Sequence, residues 1–295
     1  MYEIVVISGK GGTGKTSLTA AFAALEGPDT VLADCDVDAP NLHLLMQPDL
    51  KMSHDFYSGV IACIDPRLCN DCGVCKSRCR FDAILITEGH YSINARYCEG
   101  CGYCANVCPE KAVKMLVRKV GTWSVATTRL GSWMVHAHLG AGGENTGKLV
   151  AKVKNEARQV AHKYGKKTIL VDGPPGIGCP VISSLSGAGF VLLVAEPSAS
   201  GWHDLTRISE LIQKFKLRAG CIINKTDLNP EISSKIKTQL QKEKITYLGE
   251  LPYDEAFTAA MTKGRTIIEY NSSSLKNTLS YTWKKIKQIT KLERY

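Results

Sequence analysis

Short runs of Val, Ile and Leu recur along the chain, and several are separated by segments with a helical pattern. The runs lie at Ile4–Ile7, Thr30–Ala33, Thr168–Val171, Phe190–Val194 and Cys221–Ile223. Apolar runs of this length, without polar alternation, are typical of parallel strands whose two faces are both covered by helices. The pattern therefore predicts an α/β fold with a mostly parallel sheet and helices on both faces.

This alternation stops between residues 60 and 116, where nine of the twelve cysteines lie, eight of them in two repeats. We interpret this stretch as an inserted α+β domain, which leaves one discontinuous α/β domain over residues 1–59 and 117–295. After the insert, Val120–Leu139 has the Val, Thr and Trp content of a hairpin with glycines at its turns. Lys148–Tyr164 then has a helical pattern.

Composition and charge narrow the class of protein. The chain has 295 residues, 44% of them hydrophobic, and a formal net charge of +9, so it is long enough to bury a full core. The N-terminus leads directly into a strand without a cleavable signal, and no apolar run approaches the roughly 20 residues that span a bilayer. Because free thiols persist in reducing compartments, we expect a cytoplasmic protein. We also expect that nucleic acid is not a partner.

A glycine-rich segment follows the first predicted strand and opens a helix, and this context makes a Walker A match specific. Its glycines let consecutive N–H groups turn toward phosphates, and the helix N-terminus adds partial positive charge. Lys15 can reach the β and γ oxygens, and the Thr16 hydroxyl can bind Mg²⁺. The alternative is a glycine turn that only joins a strand to a helix. The predicted nucleotide site here comprises Lys10, Gly11, Gly12, Thr13, Gly14, Lys15, Thr16 and Ser17.

The sequence KGGTGKT at Lys10–Thr16 resembles the deviant Walker A motif of the MinD, ParA, Mrp and nitrogenase iron-protein superfamily. Asp34–Asp38 is similar to switch I of that family, and Asp172–Gly178 is similar to its DxPPG switch II. The resemblance covers nearly all of the chain outside the insert. It implies an ATPase that forms a homodimer when it binds ATP.

The same resemblance implies roles for three residues. Lys10 would reach across the dimer interface to the partner's nucleotide. Asp36 would orient or deprotonate the attacking water, and Asp172 would hold Mg²⁺ through its water shell. For the acidic run that contains Asp36, the alternative is a solvated turn at the end of a strand, although ligands of open α/β sheets bind at this end of the strands.

Two later segments are predicted to contact the base. Asn224-Lys225-Thr226-Asp227 follows a strand and resembles both the NKxD motif of GTPases and the Asn of MinD-like ATPases. The family favours adenine, but Asp227 leaves GTP as an alternative. Pro252 begins a loop that resembles the one closing over the base in this family, and a bare turn explains it equally well.

The cysteines of the insert form two repeats of C-x-x-C-x-x-C followed by a fourth cysteine. Three thiolates on a tight loop can bind three corners of a 4Fe-4S cluster, while the fourth cysteine binds the other cluster. The insert thus resembles a bacterial two-cluster ferredoxin, with one departure: Pro109 follows Cys108, but Arg80 follows Cys79. Zinc is the alternative, yet a third cysteine in each run leaves too many thiolates for tetrahedral sites. We assign one cluster to Cys69, Cys72, Cys75 and Cys108 and the other to Cys98, Cys101, Cys104 and Cys79.

Three further side chains are candidates for a role near the nucleotide. Cys179 lies seven residues after Asp172, where the nitrogenase iron protein has a cluster ligand, so it is a possible interface thiol. The alternative is a small buried hydrophobic residue. His136 and His138 would face the same side of a strand, as ligands, proton carriers or part of a solvated face.

The C-terminal segment combines basic charge with an apolar stripe. Residues 276–295 carry six Lys or Arg against one Glu. Such a helix either binds a membrane, as the tail of MinD does, or packs on the sheet. The apolar stripe consists of Leu275, Leu279, Trp283, Ile286 and Ile289.

Three hypotheses for the function follow. In the first, ATP hydrolysis and dimerisation are coupled to electron transfer, or to delivery of a metal cluster, to a redox or metal-cofactor partner. In the second, the chain is a positioning ATPase of the MinD or ParA kind with sensory or structural clusters. In the third, the chain is a redox-sensing binding module that holds nucleotide without useful turnover, which would leave Asp36 and Lys10 without a role. The sequence has no motif that identifies the partner or the electron donor.

Overall fold

The computed structural model describes residues 1–140, 145–270 and 273–291. Its strands are β1 (Tyr2–Ser8), β2 (Thr30–Asp34), β3 (Asp49–Ile64), β4 (Ile84–Thr87), β5 (His90–Ile93), β6 (Val113–Thr127), β7 (Trp133–Leu139), β8 (Thr168–Pro175), β9 (Phe190–Ala195), β10 (Ala219–Asn224) and β11 (Thr246–Leu251). Its helices are α1 (Lys15–Glu26), α2 (Leu42–Met46), α3 (Val74–Arg78), α4 (Tyr103–Val107), α5 (Thr146–Lys163), α6 (Cys179–Leu185), α7 (Ala199–Lys214), α8 (Pro230–Lys242), α9 (Ala256–Thr262) and α10 (Ser273–Lys291).

One large sheet forms the centre of the fold, with the strand order β11-β10-β9-β1-β8-β2-β7-β6-β3. The pairings of β1 with β8 and β9, of β2 with β7 and β8, and of β10 with β9 and β11 are all parallel. The predicted α/β fold with a mostly parallel sheet is therefore confirmed. From β1 the chain runs through α1 to β2 on one side of the sheet, and from β8 it runs through α6 to β9 on the other side of β1. The carboxyl end of β1 is therefore a switch point, where ligands of such sheets bind.

Local sequence explains where several helices begin and end. The Ser198 side chain caps α7 by accepting from the Gly201 N–H, and the Asn229 side chain caps α8, whose first residue is Pro230. Both are preferred signals for a helix start. β6 and β7 are joined by a tight turn in which the Thr128 N–H donates to the Ser132 carbonyl at 2.8 Å.

Helix α10 packs its apolar stripe into the core. Leu275, Leu279, Trp283 and Ile286 are buried, and Ile289 packs beside them. Trp283 stacks on Phe22 of α1 with ring centroids 5.0 Å apart. The stripe that suggested a membrane-binding tail is thus occupied by internal packing, and residues 292–295 lie outside the described residues.

The chain divides into two compact units. Unit 1 comprises residues 1–54, 123–138 and 146–295, and unit 2 comprises residues 55–122 and 139–145. Unit 2 contains the antiparallel hairpin of β4 and β5 and the short helices α3 and α4. None of the helices in the described ranges is long and apolar enough to cross a membrane.

Candidate functional site

The phosphate loop lies between β1 and α1 in unit 1. Gly12 and Gly14 have φ angles of 78° and 95°, which L side chains rarely adopt. A Cβ on Gly14 would also lie 2.6 Å from the Asn224 amide nitrogen. α1 begins at Lys15, whose side chain is only 6% exposed. The glycines therefore form a narrow loop at a helix N-terminus, as anion binding requires.

Asp172, at the carboxyl end of β8, faces the first turns of α1. Its carboxylate accepts hydrogen bonds from the hydroxyls of Thr16 at 2.7 Å and Thr19 at 3.2 Å. Burial raises the pKa of Asp172, and the charge of Lys15 and these hydrogen bonds offset only part of that rise. A buried carboxylate beside a threonine hydroxyl at a phosphate loop is suited to hold Mg²⁺ through water.

Asp34 and Asp36 add two more carboxylates to this edge of the sheet. Asp34 is the register partner of Asp172 on the neighbouring strand, and burial and the charge of Asp172 raise its pKa well above the usual value. Burial also raises the pKa of Asp36 against the opposing charge of Lys15. Of these two residues the sequence hypothesis gave a role only to Asp36, although Asp34 is the one that lies beside Asp172 in the sheet.

The two predicted base-contacting segments lie together. The Asn224 amide donates to the Thr13 carbonyl at 2.9 Å, which ties the end of β10 to the phosphate loop. The Asp227 carboxylate accepts from the N–H of Tyr253 at 2.6 Å, next to Pro252. These contacts place the 224–227 loop and the 252–253 loop on one side of the phosphate loop, and the choice between ATP and GTP stays open.

Lys10 contacts residues that the sequence analysis did not identify. Its amine lies 2.5 Å from the carboxylate of Glu196 and donates to the Ser198 hydroxyl at 3.0 Å. Lys225 approaches the other oxygen of the same carboxylate at 3.1 Å. The position of Glu196 directly after β9 is the signal that could have identified it, because an acidic residue, Asp34, also ends β2.

The eight predicted cluster cysteines surround two separate cavities in unit 2. Cys69, Cys72, Cys75 and Cys108 line a cavity of only about 10 Å³, which Pro109 also lines. A wider cavity, of about 650 Å³, is lined by Cys79, Cys98, Cys101 and Cys104. The fourth cysteine of each repeat therefore lies with the first three of the other repeat.

The cysteines do not converge on one point. In residues 1–140, 145–270 and 273–291, no group of three or more His, Cys, Asp or Glu side chains is placed to hold a single metal ion. A structural zinc ion needs donors within about 2.3 Å of one centre, whereas a 4Fe-4S cluster is bound by four thiolates at its outer corners. Each cavity is lined by four thiols, which is the number of donors that a 4Fe-4S cluster requires.

The remaining candidates do not form one group with these residues. Cys179 is exposed and is the first residue of α6. His136 is the register partner of Asp34, and burial, together with the charge of His43, lowers the pKa of its imidazole. The His136 Nδ1 atom has no hydrogen-bond partner within the described part of the chain, and His138 is exposed.

Comparison with known proteins agrees with this geometry. The family described as the CobQ/CobB/MinD/ParA nucleotide binding domain matches residues 4–267. The chain belongs to this family. The matched range extends from β1 through the phosphate loop, Asp36 and Asp172 to Asn224 and beyond.

Individual proteins show the same relationship. The uncharacterised protein MJ0578 of Methanocaldococcus jannaschii is 34% identical over 230 residues, which cover 77% of this chain and 79% of that protein. The septum site-determining protein MinD of Escherichia coli is 46% identical over 56 residues, or 18% of this chain and 21% of that protein. MinD of Pyrococcus horikoshii, solved with Mg-ADP, has a TM-score of 0.59 at 17% identity and covers 98% of this chain and 96% of its own. That last likeness shows the fold.

Proposed function

We propose that the chain binds and hydrolyses ATP with Mg²⁺, that ATP drives formation of a homodimer, and that unit 2 carries two 4Fe-4S clusters whose chemistry is coupled to this cycle. The proposal joins two sites that the sequence predicts separately. The nucleotide part is supported by the family, and the cluster part is supported by the cysteine geometry.

In the nucleotide site, each side chain has a task that its position supports. Lys15 would neutralise the β and γ phosphates at the N-terminus of α1. Thr16 and Asp172 would hold Mg²⁺, which would supply positive charge against the phosphate oxygens. Asp36 accepts a proton from the attacking water. Because burial raises the pKa of Asp36, this carboxylate is a better base than an exposed one.

The observation that carries the cluster proposal is the presence of four cysteines around each of two cavities. Two complete sets of thiols in one small unit are difficult to explain as packing, because each set combines cysteines from both repeats. Bound clusters would supply one-electron transfer. The chain's own contribution is to hold each cluster between the three-cysteine loop of one repeat and the fourth cysteine of the other repeat. That fourth cysteine directly follows α3 or α4.

Two outputs are compatible with this cycle. In the first, the ATP-bound dimer transfers electrons or a metal cluster to a redox or metal-cofactor partner. In the second, the chain is a positioning ATPase in which the clusters are sensory or structural. The comparisons favour the second output, since relatives with a stated role include septum site-determining MinD proteins, one of them solved with MinC.

Metal analysis tests the cluster part of the proposal. Protein purified without oxygen should contain about eight iron and eight sulfide atoms per chain, as two 4Fe-4S clusters require. A matched variant, Cys221→Ala, removes a buried cysteine of β10 that lies in unit 1, and should retain the same content. Iron without sulfide, or zinc in place of both, would refute the cluster proposal.

A lysine substitution tests the nucleotide part. Lys10→Ala should abolish ATP-dependent dimerisation and hydrolysis while leaving ATP affinity mostly intact, because Lys15 and the loop amides still hold the phosphates within one subunit. Sedimentation and an ATPase assay measure both effects. Hydrolysis at the parental rate by Lys10→Ala would show that this lysine does not act across an interface.

A further inference from the structure

The amine of Lys10 is fully engaged within its own subunit. It lies 2.5 Å from the Glu196 carboxylate and donates to the hydroxyls of Ser198 at 3.0 Å and Ser200 at 3.5 Å. Ser198 is also the N-cap of α7, where a nearby cation is unfavourable because the helix N-terminus is partially positive. The Glu196 carboxylate offsets that cost, since charge-assisted hydrogen bonds are the stronger kind.

Glu196 has a second cationic partner that remains when Lys10 leaves. Lys225 lies 3.1 Å from its other carboxylate oxygen and also donates to the Gly12 carbonyl at 3.0 Å. The Glu196 side chain is only 14% exposed, so a carboxylate left there without a partner would be costly. Because Lys225 stays in place, Lys10 can be released without leaving a bare buried charge.

We propose that Glu196 is a positioning residue that holds Lys10 within its own subunit and must release it before the lysine can reach the nucleotide of the partner subunit. This inference rests on the proposed role of Lys10 across the dimer interface. Glu196 thereby opposes dimerisation, and only a ligand that attracts the amine more strongly than this carboxylate can displace it.

Competition between Glu196 and a phosphate for the Lys10 amine explains why a nucleoside triphosphate would be needed for dimerisation. A ligand shifts an equilibrium only by its difference in affinity for the two states. The terminal phosphate of ATP offers the lysine a more concentrated negative charge than one carboxylate that is already shared with Lys225. A site without nucleotide offers the lysine no phosphate at all, so the Lys10–Glu196 contact persists there.

The test measures the dimer dissociation constant of the full-length chain by sedimentation, at an ATP concentration that saturates each variant. Glu196→Gln keeps the size of the side chain and removes its charge. It should tighten the ATP-bound dimer by about tenfold or more, because each subunit loses one charged hydrogen bond that holds Lys10 back. Glu196→Asp, which keeps the charge, should remain close to the parent.

Two control variants isolate the contact. Glu250→Gln breaks the ion pair with Lys237 on β11 and should leave the dimer constant unchanged. Because Lys10→Ala alone should abolish ATP-dependent dimerisation, Glu196→Gln added to Lys10→Ala should not restore a dimer. Glu196→Gln could also act on the phosphate loop through Lys225, which donates to the Gly12 carbonyl. Nucleotide affinity measured on the monomers detects that effect separately from the effect on dimerisation.

Three results would overturn the inference. An unchanged or weaker dimer in Glu196→Gln would show that the carboxylate does not oppose dimerisation. A dimer restored by Glu196→Gln in the Lys10→Ala background would show that Glu196 acts through another group. A parental chain that stays monomeric at saturating ATP would overturn both this inference and the proposed function, whereas the first two results leave the proposed function intact.

Discussion

At the scale of single residues, Asp34 is the most constrained acidic group of the nucleotide site. It is fully buried beside Asp172, and its Oδ2 atom has no hydrogen-bond partner among the described residues. Burial and the neighbouring carboxylate favour the protonated form, so its pKa lies well above that of an ordinary aspartate. Mg²⁺ bound near Asp172 would reduce the repulsion between the carboxylates of Asp34 and Asp172, so this repulsion favours binding of the metal.

The raised pKa of Asp34 predicts how stability depends on pH. A carboxyl group whose pKa is raised by folding stabilises the fold fully below about pH 4, and that contribution is lost as the pH rises through the folded-state pKa. Asp34→Asn cannot ionise, so we expect it to exceed the parent in stability at pH 8 without Mg²⁺. The difference should shrink as the pH falls toward 5.

Urea unfolding in EDTA at several pH values measures this effect. Asp49→Asn is the matched control, because Asp49 is exposed and pairs with Lys51 on the edge strand β3. A difference between Asp34→Asn and the parent that does not depend on pH would contradict the raised pKa.

At the scale of elements, the short helices α3 and α4 set which cysteine reaches which cavity. Cys79 directly follows α3 and Cys108 directly follows α4. Each helix therefore carries the chain from the loop of one cavity to the wall of the other, and Gly73 and Gly102 begin these helices with positive φ angles.

This arrangement predicts paired spectroscopic effects. Cys79→Ser should alter the cluster held by Cys98, Cys101 and Cys104, and Cys108→Ser should alter the cluster held by Cys69, Cys72 and Cys75. Electron paramagnetic resonance of the reduced protein distinguishes the two centres. Loss confined to the cluster of the same repeat in either variant would refute the crossed assignment.

The contact of α10 with α1 is a second element with a measurable contribution. Trp283 is 4% exposed, and its Nε1 donates to the Glu26 carboxylate at 2.9 Å. Trp283→Ala should destabilise the chain by about 3–5 kcal/mol, since it removes a buried aromatic side chain. Trp283→Phe, which loses mainly the hydrogen bond, should cost about 1 kcal/mol.

Chemical denaturation with both variants measures the contribution of this contact. A loss below about 1 kcal/mol for Trp283→Ala would be too small for a buried aromatic side chain. It would show that α10 does not pack on the core as described.

The parallel strands and the phosphate loop were accessible from sequence because each has a strong local pattern. Continuous apolar runs predicted β1, β2, β8, β9 and β10, and glycine spacing predicted the loop. The long strand β3 was missed because its residues are mostly exposed and lack an apolar run. Glu196 was missed because its role depends on Lys10 and Lys225, which are far from it in sequence and meet it only in the folded sheet.

At the scale of the whole molecule, the chain combines a nucleotide-binding unit with a cysteine-rich unit. Unit 1 contains the phosphate loop, Asp36 and Asp172, and unit 2 contains both four-cysteine cavities. Strands β3 and β6 begin in one unit and end in the other, so two long strands connect the units covalently.

If ATP turnover and cluster chemistry are coupled, the ATPase rate of the fully loaded protein depends on whether its clusters are oxidised or reduced. The rate is measured without oxygen, at saturating ATP and Mg²⁺, after iron and sulfide analysis of the same sample. Coupling predicts a rate that differs between the two redox states and returns to its first value on reoxidation. Equal rates in both states, with both clusters present and the dimer formed, would contradict it.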